Sequence, residues 1–146
     1  MRRTDWNRAI ELLRREDYTC VLCRGDAIRW SRERGVKPLL TLLDSGESLR
    51  EFAAADRVVG KAAAYLYVLL GVRSLYAGVI SRPAKETLER FGIELAYETL
   101  VDGIRNRTGD GFCPMESAVR EIEEPEQALA AIRETLRRLQ NSSPKA

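Results

Sequence analysis

The sequence has no histidine. That removes the side chain most often used as a general base, and the commonest imidazole ligand for a metal. Cysteine is scarce as well, with three residues. The charged N-terminus, MRRTDWNRAIELLRRED, is followed by no apolar signal-peptide core, so these cysteines are expected to be reduced thiols and not a disulfide scaffold. Charge of one sign is also lacking in excess, because 24 Lys and Arg face 22 Asp and Glu for a net charge of +2. A nucleic-acid-binding surface is therefore not expected.

Long apolar runs are missing too. The most apolar stretch, VVGKAAAYLYVLLGV from Val58 to Val72, contains Lys61. It is shorter than the roughly 20 residues that a membrane-spanning helix needs. It reads as a buried helix, and the chain is expected to be cytoplasmic and free of any membrane partner. No Walker loop, GxGxxG, Ser-His-Asp set or paired-carboxylate cleft can be read.

What is present alternates between strand and helix signals. Asp5 to Arg15 has the helical spacing of Trp6, Ile10 and Leu13. Tyr18 to Arg24 and Ala27 to Ser31 read as a hairpin around Gly25-Asp26. Pro38 opens a helix that Gly46 ends. Glu47 to Ala55 fits loop or helix. Asp56 to Leu70 is expected as one helix, N-capped by Asp56 and stopped by Gly71. Arg73 to Ser81 and Ile93 to Val101 read as strands, with a helix from Pro83 to Phe91 between them. This unit predicts a parallel pair with a right-handed crossover. Gly78 would allow a close backbone approach in the first of these strands. Pro114 to Ile122 is a short helix. Pro125 to Gln140 is the last, striped by Leu129, Ile132, Leu136 and Leu139. One domain over 1–140 is expected, with a disordered tail at 141–146.

The chemistry-bearing candidates cluster in two places. Lys61 interrupts the apolar run directly after Gly60, a residue costly inside a helix and therefore a mark of close approach. Placed in the second turn, Lys61 either snorkels to the rim or meets an anionic ligand at a pocket. Asp56 would sit at the same helix start, as a cap or facing the ligand. The stretch GDGFCPMESAV offers Cys113 at a helix N-cap, where a thiolate is favoured. Glu116 follows three residues later, in the place of a capping-box residue. Arg107 belongs to the preceding RNRTGDG loop, which has the composition of an anion cradle. Cys20 and Cys23 do not form a metal or redox pair. Three positions apart on a strand, they point to opposite faces.

SRERGVKPLLTLL (Ser31 to Leu43), ADRVVGKAAAYL (Ala55 to Leu66) and CPMESAV (Cys113 to Val119) resemble an uncharacterised prokaryotic family of unknown function with a cytidine-deaminase-like fold. The resemblance implies a three-layer α/β/α domain with a mixed central sheet, here extended by a C-terminal helix. Active deaminases start one helix with a His or Cys followed by a catalytic Glu, and the next with Pro-Cys-x-x-Cys, around an activating zinc. This chain has neither motif. The resemblance therefore implies no zinc, no other cofactor and no ordinary deamination. It leaves a pocket at two helix N-termini, lined by Asp56, Gly60, Lys61, Cys113, Glu116 and Arg107, for a small anionic or nucleotide-like ligand. One alternative is an enzyme with a Cys113 thiolate nucleophile assisted by Lys61. Another is a non-catalytic structural or regulatory module, with homo-oligomerisation through the last helix as one form of it.

Overall fold

The computed structural model describes residues 2–104 and 113–142. The elements are α1 (Arg2–Arg15), β1 (Cys20–Arg24), β2 (Ala27–Ser31), α2 (Lys37–Asp44), β3 (Ala53–Val59) and α3 (Lys61–Leu70). They continue with β4 (Ser74–Ser81), α4 (Arg82–Arg90), β5 (Glu94–Val101), α5 (Pro114–Val119) and α6 (Pro125–Ser142). The five strands form one mixed sheet in the order β2-β1-β3-β4-β5. The hairpin β1–β2 is antiparallel, as is β1–β3, while β3–β4 and β4–β5 are parallel. Among the described residues, no helix is long and apolar enough to cross a membrane.

The sheet separates two cores. On one face α1 buries Trp6, Ala9 and Leu13 against Val21, Cys23, Ala53, Ala55 and Tyr76. On the other, Cys20, Leu22, Ala54, Leu75 and Ala77 meet side chains from α2, α3, α4, α5 and α6. The layering is thus α/β/α. Cys20 and Cys23 fall in different cores, as the strand period requires. The last carbonyls of α1 need donors that the helix cannot supply. Arg57 of β3 supplies one of them, donating to the Leu13 carbonyl at 2.7 Å, and holds the chain that leaves the helix through the Glu16 carbonyl at 2.9 Å and the Tyr18 carbonyl at 2.6 Å.

The helix expected over Asp56 to Leu70 is two elements. Residues 53–59 are the central strand, and the helix starts only at Lys61, after Gly60 as its N-cap. Asp56 therefore caps nothing, Lys61 is the first helical residue instead of lying in the second turn, and Gly60 is not inside a helix. The physical cause is that the first half of β3, Ala53 to Ala55, is buried on both faces, whereas Arg57 and Val58 near its end are adjacent and both exposed. A strand covered from both sides shows no alternation and reads as a continuous apolar run. Its three alanines are good helix formers by propensity, yet their small size lets both helical layers approach the sheet. Glu47 to Ala55 is correspondingly a loop and then the start of β3. Gly71 does end α3, with φ +84°. Gly78 lies beside Arg57, whose carbonyl would be 2.8 Å from a Cβ at that position.

The stripe on α6 docks onto its own chain. Ile132 is fully buried, Leu129 and Leu136 pack against the same core, and only Leu139 is exposed. Arg133 fixes the helix to α2 through both carboxylate oxygens of Asp44, at 3.4 and 2.7 Å. The tail expected from 141 begins two residues inside α6, and residues 143–146 lie outside the described ones.

Candidate functional site

Gly60 has no side chain with which to cap α3, so the first N–H groups of that helix need an acceptor from elsewhere. Glu116, on α5, supplies it. Its Oε1 accepts from the Lys61 N–H at 2.7 Å and its Oε2 from the Ala62 N–H at 3.1 Å. The approach depends on glycine at 60, because a Cβ there would stand 2.3 Å from Oε2 of Glu116. Burial raises the Glu116 pKa, opposed by the two N–H donors and by the charge of Lys61. The sequence pattern placed Glu116 in a capping box of its own helix. It caps the neighbouring helix instead, and the Cys113 N–H goes to the Ile104 carbonyl at 3.0 Å.

The exchange runs both ways. The Lys61 ammonium donates to the carbonyl of Arg120, the C-cap of α5, at 2.9 Å, and lies 5.8 Å from the centre of the Tyr65 ring. A cation at a helix C-terminus is favoured by the helix dipole, as an anion is at an N-terminus. The link from α5 to α6 is held in the same manner. Tyr65 donates to the Ile122 carbonyl at 2.6 Å. Arg90 donates to the Tyr65 hydroxyl at 3.1 Å and to the Glu123 carbonyl at 2.8 Å.

Two cavities meet at Lys61. One, of about 290 Å³, is lined by Lys61, Tyr65, Glu86, Thr87, Arg90 and Glu123, with Pro83 on its wall. The other, of about 140 Å³, shares Lys61 and Pro83 and adds Glu116, Arg120 and Asp102. The structure thus brings together Gly60, Lys61 and Glu116 of the residues singled out from sequence.

Asp56 is elsewhere. It projects from β3 towards α3, where its Oδ2 accepts from the Tyr67 hydroxyl at 2.6 Å and its Oδ1 from the Val58 N–H at 3.3 Å. Neither cavity has it as a wall. Burial pushes its carboxyl up to about 7, against the pull of the Tyr67 hydrogen bond. Cys113 does occupy the N-cap of α5, but its thiol makes no capping bond, and the half-buried residue packs against the core. It lines neither cavity. Arg107 lies outside the described residues. Among the described residues, no group of three His, Cys, Asp or Glu side chains could hold a metal ion. Sequence reasoning missed Tyr65, Arg90, Arg120 and Glu123. Tyr65 had a signal, since it stands one turn after Lys61 on the same face. The others come together only through tertiary packing.

The thiols separate cleanly. Burial raises the pKa of Cys20, reinforced by the nearby Asp56 charge, and burial raises that of Cys23 as well. Only Cys113 is not buried. Iodoacetamide should therefore label one thiol per native chain, and peptide mapping should place it at Cys113. Comparable labelling of Cys20 or Cys23 would contradict this burial.

A three-layer α/β/α domain, with a carboxylate from one helix seated on the N-terminus of another, is the class defined by this geometry. The TM1506 family, a domain of unknown function (DUF1893), matches residues 8–136, and the chain belongs to it. Its fold is similar to the crystal structure of a DUF1893 family protein, TM1506, from Thermotoga maritima. The TM-score is 0.82 at 27% sequence identity, over 92% of this chain and 90% of the other. No curated protein matches the chain.

Proposed function

We propose that this domain, of deaminase-like fold but without zinc, binds a small anionic or nucleotide-like ligand in the cleft around Lys61. The observation that carries the reading is the position of Lys61 on the shared wall of two adjoining cavities. An ammonium has three donors, and one is engaged by the Arg120 carbonyl. The remaining donors are available to a phosphate or carboxylate. Arg90 adds positive charge beside it, while Glu86 and Glu123 offer acceptors for the amino or hydroxyl groups of the same ligand. The larger cavity is at the lower end of the roughly 300–1,000 Å³ typical of small-molecule sites. The mixed sheet, with a hairpin on one side and parallel strands on the other, supports the resemblance to the deaminase-like fold. The site residues in this reading are Lys61, Gly60 and Glu116. Asp56 and Cys113, both half-buried, stand outside the two cavities.

The test is an NMR titration of labelled protein with a panel of nucleoside monophosphates and inorganic phosphate. Binding should perturb the amides of Lys61, Ala62 and Thr87. Lys61→Met, with its fold checked by circular dichroism, should weaken binding roughly tenfold or more, as expected for a lost charge-assisted hydrogen bond. No perturbation by any member of the panel, or undiminished binding by Lys61→Met, would rule the reading out.

A further inference from the structure

The face of the sheet that carries α1 is incompletely covered. A helix is about 10–12 Å across and strands are spaced about 4.8 Å apart. One helix therefore covers two or three strands, and α1 packs on β1, β3 and β4. Strand β2, at the edge of the sheet, is left out. Its side chains on that face are exposed, Ile28 at 38% and Trp30 at 49%. Tyr18 stacks on Trp30 with ring centroids 4.5 Å apart, and the Arg32 guanidinium lies over both rings.

Along this face β2 presents Ile28 and Trp30, with the period of two that a strand imposes, flanked by Asp26 in the hairpin turn and Arg32 just past the strand end, and all four are exposed. The row is self-complementary when reversed. Laid antiparallel on a second copy with Arg29 opposite Arg29, it sets Ile28 against Trp30 and Asp26 against Arg32, each twice. Apolar–aromatic and opposite-charge pairs directly across a strand pair are the favourable ones. Moving the register by two residues in one direction sets Asp26 against Trp30. Moving it in the other sets Ile28 against Arg32. Both lose the match. The like charges at the centre are offset within each copy, because Arg29 forms a two-armed ion pair with Glu47. Arg32 pairs with Asp17 of its own chain through one guanidinium nitrogen, at 2.5 Å, and the Asp26 of the second copy, which has no charged partner among the described residues of its own chain, would share that guanidinium. An exposed strand edge is moreover a template for pairing.

We infer that two copies of this chain pair through their β2 edges, antiparallel and centred on Arg29, to form one continuous sheet. The two-fold axis stands perpendicular to the sheet, as an isologous dimer of edge strands requires. Both α1 helices then lie on the same face, and the two Ile28–Trp30 pairs fill the groove between them. This interface is separate from the Lys61 cleft and does not depend on the proposed ligand.

Sedimentation velocity over a hundredfold range of concentration tests it. The wild-type chain should sediment at twice the chain mass. Trp30→Asp should be monomeric while still unfolding in one cooperative transition, at a somewhat lower temperature because the Tyr18 stack and the association are both lost. Asp26→Arg should raise the dissociation constant several-fold to tenfold by setting like charges opposite each other. The double variant Asp26→Arg, Arg32→Asp should recover most of that loss, which a merely local disturbance would not do. Arg29→Cys should form an intermolecular disulfide under mild oxidation that the wild-type chain does not form. A wild-type monomer at every concentration would overturn the inference. So would a dimer indifferent to Trp30→Asp, or one abolished by Leu139→Asp on α6 instead.

Discussion

Urea denaturation should show the wild-type protein losing stability as pH rises from about 4 to 8, and Asp56→Asn should remove much of that loss. The folded carboxyl of Asp56 titrates at about 7, against roughly 3.9 in an unfolded chain. Between these values the native state holds a proton that the unfolded state has released. Stability then falls with rising pH, by at most about 1.4 kcal/mol per unit for one such group. The contribution is fully present below the unfolded value and gone once pH passes the folded one. At pH 8 the carboxylate is charged and desolvated, whereas asparagine stays neutral and keeps an oxygen for the Tyr67 hydroxyl. Asp56→Asn should therefore exceed the wild type at pH 8, by roughly 1–3 kcal/mol after the weaker Val58 N–H bond is given up, and by much less at pH 5. Glu116, also raised by burial, acts in the same direction, so the variant isolates the share of Asp56. The exposed carboxylates Asp17, Asp44, Glu47 and Glu98 are lowered chiefly by their hydrogen-bonded partners, Arg for the first three and Tyr76 for Glu98. Their contributions are lost at acid pH, outside this window. A wild-type stability that is flat from pH 5 to 8 would show that Asp56 is ionised in the folded protein.

The same residue marks where sequence reading worked and where it failed. Punctuation was reliable. Gly25, Pro38, Gly71, Pro83, Pro114 and Pro125 stand at element boundaries, because fixed φ, a missing N–H or a left-handed turn is a local property. Alternation was reliable for the hairpin, whose second strand is exposed on one face. It failed for β3, because Ala53 to Ala55 are buried on both faces and the exposed Arg57 and Val58 are consecutive, which leaves no alternation to read. The alanines there follow helical propensity, and the requirement of the sheet for small residues overrides it. Moving the helix start from Asp56 to Lys61 changed the site. It left Asp56 half-buried on the central strand, bonded to Tyr67, and put the backbone of Lys61 and Ala62 at the helix N-terminus. Gly60 and Lys61 were legible as a place of close approach. Their partner was not, since the contact with Glu116 spans 55 residues of sequence.

Glu116→Ala should cost roughly 2–4 kcal/mol, and Gly60→Ala nearly as much by a different route. Glu116 makes two charge-assisted bonds to backbone N–H groups, and bonds of this kind contribute about 1.5–3 kcal/mol each before the desolvation of the carboxylate is set against them. Gly60 sits at φ −96° and ψ −179°, extended backbone that any residue adopts, so alanine brings no dihedral strain there. Its cost is steric. The new methyl group would overlap the Glu116 carboxylate, lying 2.4 Å from Cδ, and would push it off the helix N-terminus. Both substitutions thus break one interaction, and their effects should not add. In the Glu116→Ala background, Gly60→Ala should be close to neutral, giving a coupling of about 2 kcal/mol in a double-mutant cycle. Glu116→Gln keeps one acceptor oxygen and should fall between the wild type and alanine. Additive single effects would mean that the glycine serves some other contact. Full stability in Glu116→Ala would mean that water caps α3 equally well, and would leave its N-terminus open as a ready anion site beside Lys61.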